Sequence, residues 1–231
     1  MIRFLALTLL AAPLLAQNGF PWKNETLRYS IQWQSGLSLG DATLTAQKTD
    51  SGWNFEAAVS AGVPGFAIDD HYRSTSTPDL CSLQFTRDQS HAGKKSRERT
   101  TFDQKGGSAE RVTLLPDGGA KPGQSTFSIP SCARDALTYL YYVRVELGQG
   151  RMPAAQNIFF GGAYLIRMDY TGPQSVTIAG KSETTDHVNV SVRGARANFN
   201  FEVLYARDSA RTPVQILLPI STSKLTLELV R

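Results

Sequence analysis

The feature that most constrains this chain is a period of two. Leu27, Tyr29, Ile31 and Trp33 alternate with Arg28, Ser30, Gln32 and Gln34, and Trp53, Phe55, Ala57 and Val59 alternate with Asn54, Glu56, Ala58 and Ser60. Successive side chains of a strand point to opposite faces, so these stretches are strands with one face on a core and the other in water. The pattern returns at Val188-Val190-Val192, at Phe199-Phe201-Val203 and at Leu225-Leu227-Leu229. Turn chemistry separates the runs: Gly36 and Gly40, Asp50-Ser51-Gly52, Pro64-Gly65, Pro116-Asp117-Gly118-Gly119, Gly161-Gly162 and Gly172-Pro173. Connections this short make hairpins. The expected fold is mainly β, a single antiparallel meander forming a curved sheet or partly open barrel around one α-helix.

That helix is expected over residues 131–147, where the spacing becomes helical. Ser131 stands as its N-cap after Pro130, and Gly148 as its stop. At about 100° per residue, Ala136, Leu137, Leu140, Val143 and Leu147 gather on one arc, with Asp135, Thr138, Tyr142 and Glu146 opposite. Arg144 projects inside the apolar arc, where a charge needs water or a partner. Two readings stay open: it snorkels at the helix C-terminus, where the dipole favours a cation, or it is buried in an ion pair or against an anionic ligand group. Asp135 falls on the opposite face and suits the helix N-terminus instead.

The chain opens Met1-Ile2-Arg3 and then runs apolar from Phe4 to Ala16. A run shorter than the roughly 20 residues that span a bilayer, behind one positive charge, is expected to be an export signal over 1–16, cut after Ala16. Gln17 stands where a lipid-anchoring cysteine would be, so residues 17–231 are expected as one soluble, non-lipidated β-rich envelope domain, periplasmic or extracellular, with no transmembrane helix. A formal net charge of +4 over 231 residues is too mild to argue for nucleic acid. Its densest basic stretch, Lys94 to Arg99, reads as a solvated outer face or as an anionic-surface contact. Cys81 and Cys132 are the two cysteines. In an exported chain they are expected to form one disulfide, closing a loop of about 50 residues for on the order of 4 kcal/mol.

Motifs that carry chemistry are scarce. Gly36-Leu37-Ser38-Leu39-Gly40 matches the G-x-S-x-G nucleophile elbow by letter, but strand alternation follows it and no βαβ unit surrounds it, so a hairpin is the better account. Asp69 and His71 share a strand face without the three or four ligands zinc wants. No Walker loop, dinucleotide fingerprint or H-E-x-x-H occurs, and no cofactor or metal is expected.

Glu25-x-Leu27-x-Tyr29 with Gly36 and Gly40, then Asp135-Ala136-Leu137-Thr138-Tyr139-Leu140-Tyr141-Tyr142-Val143-Arg144, then Asp208-Ser209-Ala210-Arg211-Thr212-Pro213-Val214 together resemble a family of bacterial exported proteins catalogued as a domain of unknown function, number three-one-zero-eight. The resemblance implies a single β-rich envelope domain and brings no activity or catalytic residues with it. Two of its residues suggest an ion pair, Arg144 with Asp208, docking the helix on the C-terminal strands. The function expected is non-enzymatic: a periplasmic binding or scaffold protein holding a lipid-like or other apolar ligand, or an envelope protein partner, with Tyr141, Arg144 and Phe66 as ligand contacts. An outer-membrane β-barrel component and a serine hydrolase using Ser38 are the alternatives.

Overall fold

The structure, a computed structural model, describes residues 24–63, 65–115, 122–195, 197–220 and 223–231, so the expected signal lies outside the described residues. Among the described residues the alternating runs form a single sheet of 15 strands. The first eight are β1 (Asn24–Trp33), β2 (Ser38–Thr49), β3 (Gly52–Val63), β4 (Phe66–Ser76), β5 (Ser82–His91), β6 (Lys94–Asp103), β7 (Ser108–Leu115) and β8 (Gln124–Ser128). A two-residue strand β9 (Arg134–Asp135) leads into the helix α1 (Ala136–Gly148). There follow β10 (Gln156–Phe159), β11 (Ala163–Ile178), β12 (Lys181–Gly194), β13 (Ala197–Ala206), β14 (Pro213–Ile220) and β15 (Ser223–Leu229).

Strands pair antiparallel with their chain neighbours, with three departures. β1 pairs with β15, Tyr29 opposite Leu229, which joins the two wings of the meander in the middle of the sheet. β9 and β10 pair in parallel through Arg134 with Ile158 and Asp135 with Phe159. β8 and β9 do not pair and are the outer edges of the sheet, though only residues 129–133 separate them. Edges so close in sequence force the sheet to roll until they meet.

The roll overlaps rather than closing through a ladder. Ser82 donates its backbone N–H to the Ala133 carbonyl (3.0 Å), and the Gln104 amide bridges the carbonyls of Ser82 and Ala133 while accepting from the Ala133 N–H. The β9–β10 edge is thereby tucked inside the β5–β8 wing. Phe159 packs on Phe102 and Phe127 of that wing (5.8 and 5.4 Å between centroids), while its neighbour Ile158 faces the opposite core. The Cys81–Cys132 disulfide, expected from the sequence, staples the same overlap.

The helix begins five residues later than the spacing suggests. Ser131 and Cys132 form a turn, with Cys132 at φ 53° as it enters the disulfide, and Arg134 and Asp135 are spent on the parallel pair with β10. Asp135 is the N-cap, accepting from the backbone N–H of Leu137 and Thr138 (2.9 and 3.0 Å). Nor is the helix amphipathic: Leu137, Thr138, Tyr139, Tyr141, Val143 and Arg144 are all buried, because the rolled sheet surrounds the helix instead of lying under one side.

Candidate functional site

Both ends of α1 are held by buried polar groups. Asp135 is fully buried, and beyond the two backbone donors its carboxylate accepts from Ser74 (2.5 Å), Ser82 (2.6 Å) and Thr138 (3.0 Å). Burial pushes this carboxyl up from the usual range, while those hydroxyl donors and the Thr138 N–H pull it down. At the other end Arg144, 2 % exposed, makes a two-pronged pair with Glu25 (2.7 and 2.8 Å) and donates to the Ala210 carbonyl (3.0 Å). This corrects the expected partner. The Asp208 carboxylate is instead engaged by the N–H and hydroxyl of Thr212 (3.0 and 2.8 Å), where it closes the β13–β14 turn. Glu25 shares the inward alternation phase of Leu27 and Tyr29, and that phase was the signal in the sequence that could have found it.

The two flanks of the helix differ. Toward β2–β8 the gap is filled: Tyr141 stacks on Phe55 (4.3 Å), with Trp53, Phe85, Phe102 and Phe159 around it. Toward β10–β14 the sheet presents Ile166, Met168, Val190, Val192, Phe201 and Val203, and the helix presents Tyr139, Leu140 and Val143. Between them lies a cavity of about 450 Å³, within the range of small-ligand pockets, about 300–1,000 Å³. It runs from the helix toward the end of the barrel where β12 turns into β13, and there Phe160, Tyr164 and Phe199 line it. Phe160 is held from behind by Arg87 over its ring (5.0 Å) and by Tyr72 and Phe85 (5.4 and 5.7 Å). Arg111 donates to the carbonyl of the next residue, Gly161.

The ligand contacts named from the sequence do not converge. Tyr141 is inside the filled flank with the Arg144 guanidinium 5.2 Å from its ring, and neither lines the cavity. Phe66 is half exposed at the β3–β4 turn. Ser38 opens β2, exposed, beside Gln32 in a hairpin. The motif's last glycine has a structural reason: Gly40 sits at φ 147°, and a Cβ there would lie 2.0 Å from the Ser60 carbonyl. His71 lies beside Asp69 (3.4 Å), and among the described residues no cluster of three or more His, Cys, Asp or Glu could hold a metal ion. A second polar group faces inward on β4 and β5, where the buried Asp70 accepts from Tyr72 (2.7 Å), His91 (2.9 Å) and Gln89 (3.2 Å).

An open, rolled β barrel around a buried helix, with an apolar cavity on one flank, is the class of protein these features define. The chain belongs to the family described as "Protein of unknown function (DUF3108)", which matches residues 28–230. The fold is similar to the crystal structure of a beta-barrel-like protein of domain of unknown function DUF1849 from Brucella abortus, at 11 % identity and a TM-score of 0.60, over 89 % of this chain and 95 % of that one. No curated protein matches the chain. Among the described residues no helix is long and apolar enough to cross a membrane.

Proposed function

We propose that this is an exported, periplasmic binding protein that holds a lipid-like, apolar ligand between α1 and strands β10–β14, and that it acts without catalysis. The cavity carries the reading: about 450 Å³ lined by valine, isoleucine, leucine, methionine and aromatic side chains beside an otherwise filled core. Protein interiors are close-packed, so a void this large beside a stacked aromatic cluster is a feature to be explained by an occupant. A water-facing rather than lipid-embedded exterior is supported by the exposed residues on the outer faces, Asn54 and Glu56 on β3, Asp69, His71 and Arg73 on β4, and Lys95, Arg97 and Arg99 on β6. Export rests on the apolar segment ending at Ala16.

Organic extraction of the purified protein followed by mass spectrometry is the test. An apolar compound recovered from the wild type and lost from Val190→Trp, which fills the cavity, is the expected result. Repeated blank extractions, together with no uptake of an apolar fluorescent probe, would refute a carrier. Osmotic-shock fractionation checks the compartment, with release of the protein expected.

A further inference from the structure

We propose that the open end of the barrel docks on an anionic lipid bilayer, with its apolar turns seated in the membrane and the cavity mouth facing it. Antiparallel pairing sorts the connections by end. The β1–β2, β3–β4, β5–β6 and β12–β13 hairpin ends and the paired strand ends Ile220 and Ser223 of β14 and β15 lie at one end. Helix α1 plugs the other, bound to Ser74 and Ser82 around the β4–β5 connection and to Glu25 and Ala210 near the β13–β14 connection.

The open end carries Leu37 (60 % exposed), Val63 (49 %), Phe66 (48 %), Phe199 (42 %) and Ile220 (42 %), drawn from four different hairpins. Exposed apolar residues scattered singly need no account, but a set gathered on one end and continuous with an apolar cavity through Phe199 marks an interaction surface. Val63 and Phe66 are paired across the β3–β4 hairpin in the inward phase of Phe55 and Asp70, so they are core-type positions that ran out of core.

Charge selects the occupant. Lys94 and Lys95 follow the β5–β6 turn at this end, both exposed and without an ion pair among the described residues. The exposed acids Asp41 and Asp69 are set back along β2 and β4, Asp69 against His71. The helix-end turns carry the exposed acids Asp50, Asp79, Asp103 and Asp208, mixed with bases. Apolar tips flanked by lysine fit an anionic bilayer surface, whereas the opposite end carries charges of both signs and, among the described residues, no such apolar set. A bilayer is also the phase in which an apolar ligand resides. In that respect alone the proposal rests on the cavity reading.

The test is flotation of the purified protein with vesicles of phosphatidylethanolamine and phosphatidylglycerol, and with vesicles of phosphatidylcholine alone. Wild type is expected to float with the anionic vesicles at low salt and at least tenfold less with the neutral ones. Lys94→Glu with Lys95→Glu is expected to weaken partitioning by more than about fivefold per residue. Leu37→Asp with Phe66→Asp should abolish it while thermal unfolding and apolar-probe uptake stay unchanged. Folded wild type that does not float, or an aspartate variant that floats like wild type, overturns the proposal. So does a dimer in sedimentation velocity that the aspartate pair dissolves, which would assign this end to a second copy of the chain. Flotation without probe uptake leaves docking standing and removes the cavity reading; uptake without flotation does the reverse.

Discussion

The two flanks of α1 are built by the same alternation on the same sheet, and only one of them is full. On the β2–β8 side the inward positions are aromatic, Trp53, Phe55, Phe85 and Phe102, and they fill one cluster with Leu137 and Tyr141 of the helix, Phe55 stacking on Tyr141. On the β10–β14 side they are mostly aliphatic, Ile166, Met168, Val190, Val192 and Val203, and the cavity lies between these and Tyr139, Leu140 and Val143 of the helix. Hydrophobic period therefore sets which residues face inward, and side-chain volume sets whether the interior is core or cavity.

Glu25→Ala attacks the anchor that both flanks share. It leaves the Arg144 guanidinium buried without its carboxylate, and denaturant unfolding should report a loss of about 3–5 kcal/mol. Replacing both Cys81 and Cys132 by alanine acts on the filled flank alone, where the disulfide staples the overlap. A loss of about 2–4 kcal/mol is expected, with hydrogen exchange accelerated first in β5–β8 and β9 and last in β12–β14.

A matched pair of enlargements then separates the flanks directly. Ala46→Leu, fully buried opposite Phe55, overpacks a filled core and should cost about 1–3 kcal/mol in thermal unfolding. Val190→Leu extends into empty volume and should cost less than about 1 kcal/mol. Equal costs would break the distinction between core and cavity. The smallest effect is expected from Tyr139→Phe: its hydroxyl is buried with no hydrogen-bond partner among the described residues, so removal should change stability by no more than about 0.5 kcal/mol in either direction.

Much of the architecture was legible from the chain. Alternation located the strands, glycine and aspartate located the turns, and two cysteines in a chain read as exported were enough to expect their bond. The start of the helix was not legible, because Ser131 looks like a cap only while the demands of the disulfide turn and the parallel β9–β10 pair are unknown. The partner of Arg144 was sought near it in space along the C-terminal strands, whereas Glu25 lies at the opposite end of the sequence and reaches the helix only because β1 closes onto β15. The cavity has no sequence signal at all, since a valine run reads the same whether the space in front of it is filled or empty.

The junction of β1 with β15 also governs how such a molecule comes to be folded. Twelve of the strand neighbours in this sheet are antiparallel pairs of consecutive strands that can form as soon as their own residues are available. The join that turns two wings into one barrel brings Tyr29 to Leu229, and the helix anchor at Glu25 depends on the same strand. Loop closure over that span is slow compared with hairpin formation. The wings are thus expected to persist as separate, incompletely buried halves until the last strand arrives, so the barrel and its helix anchor are completed together in one late step.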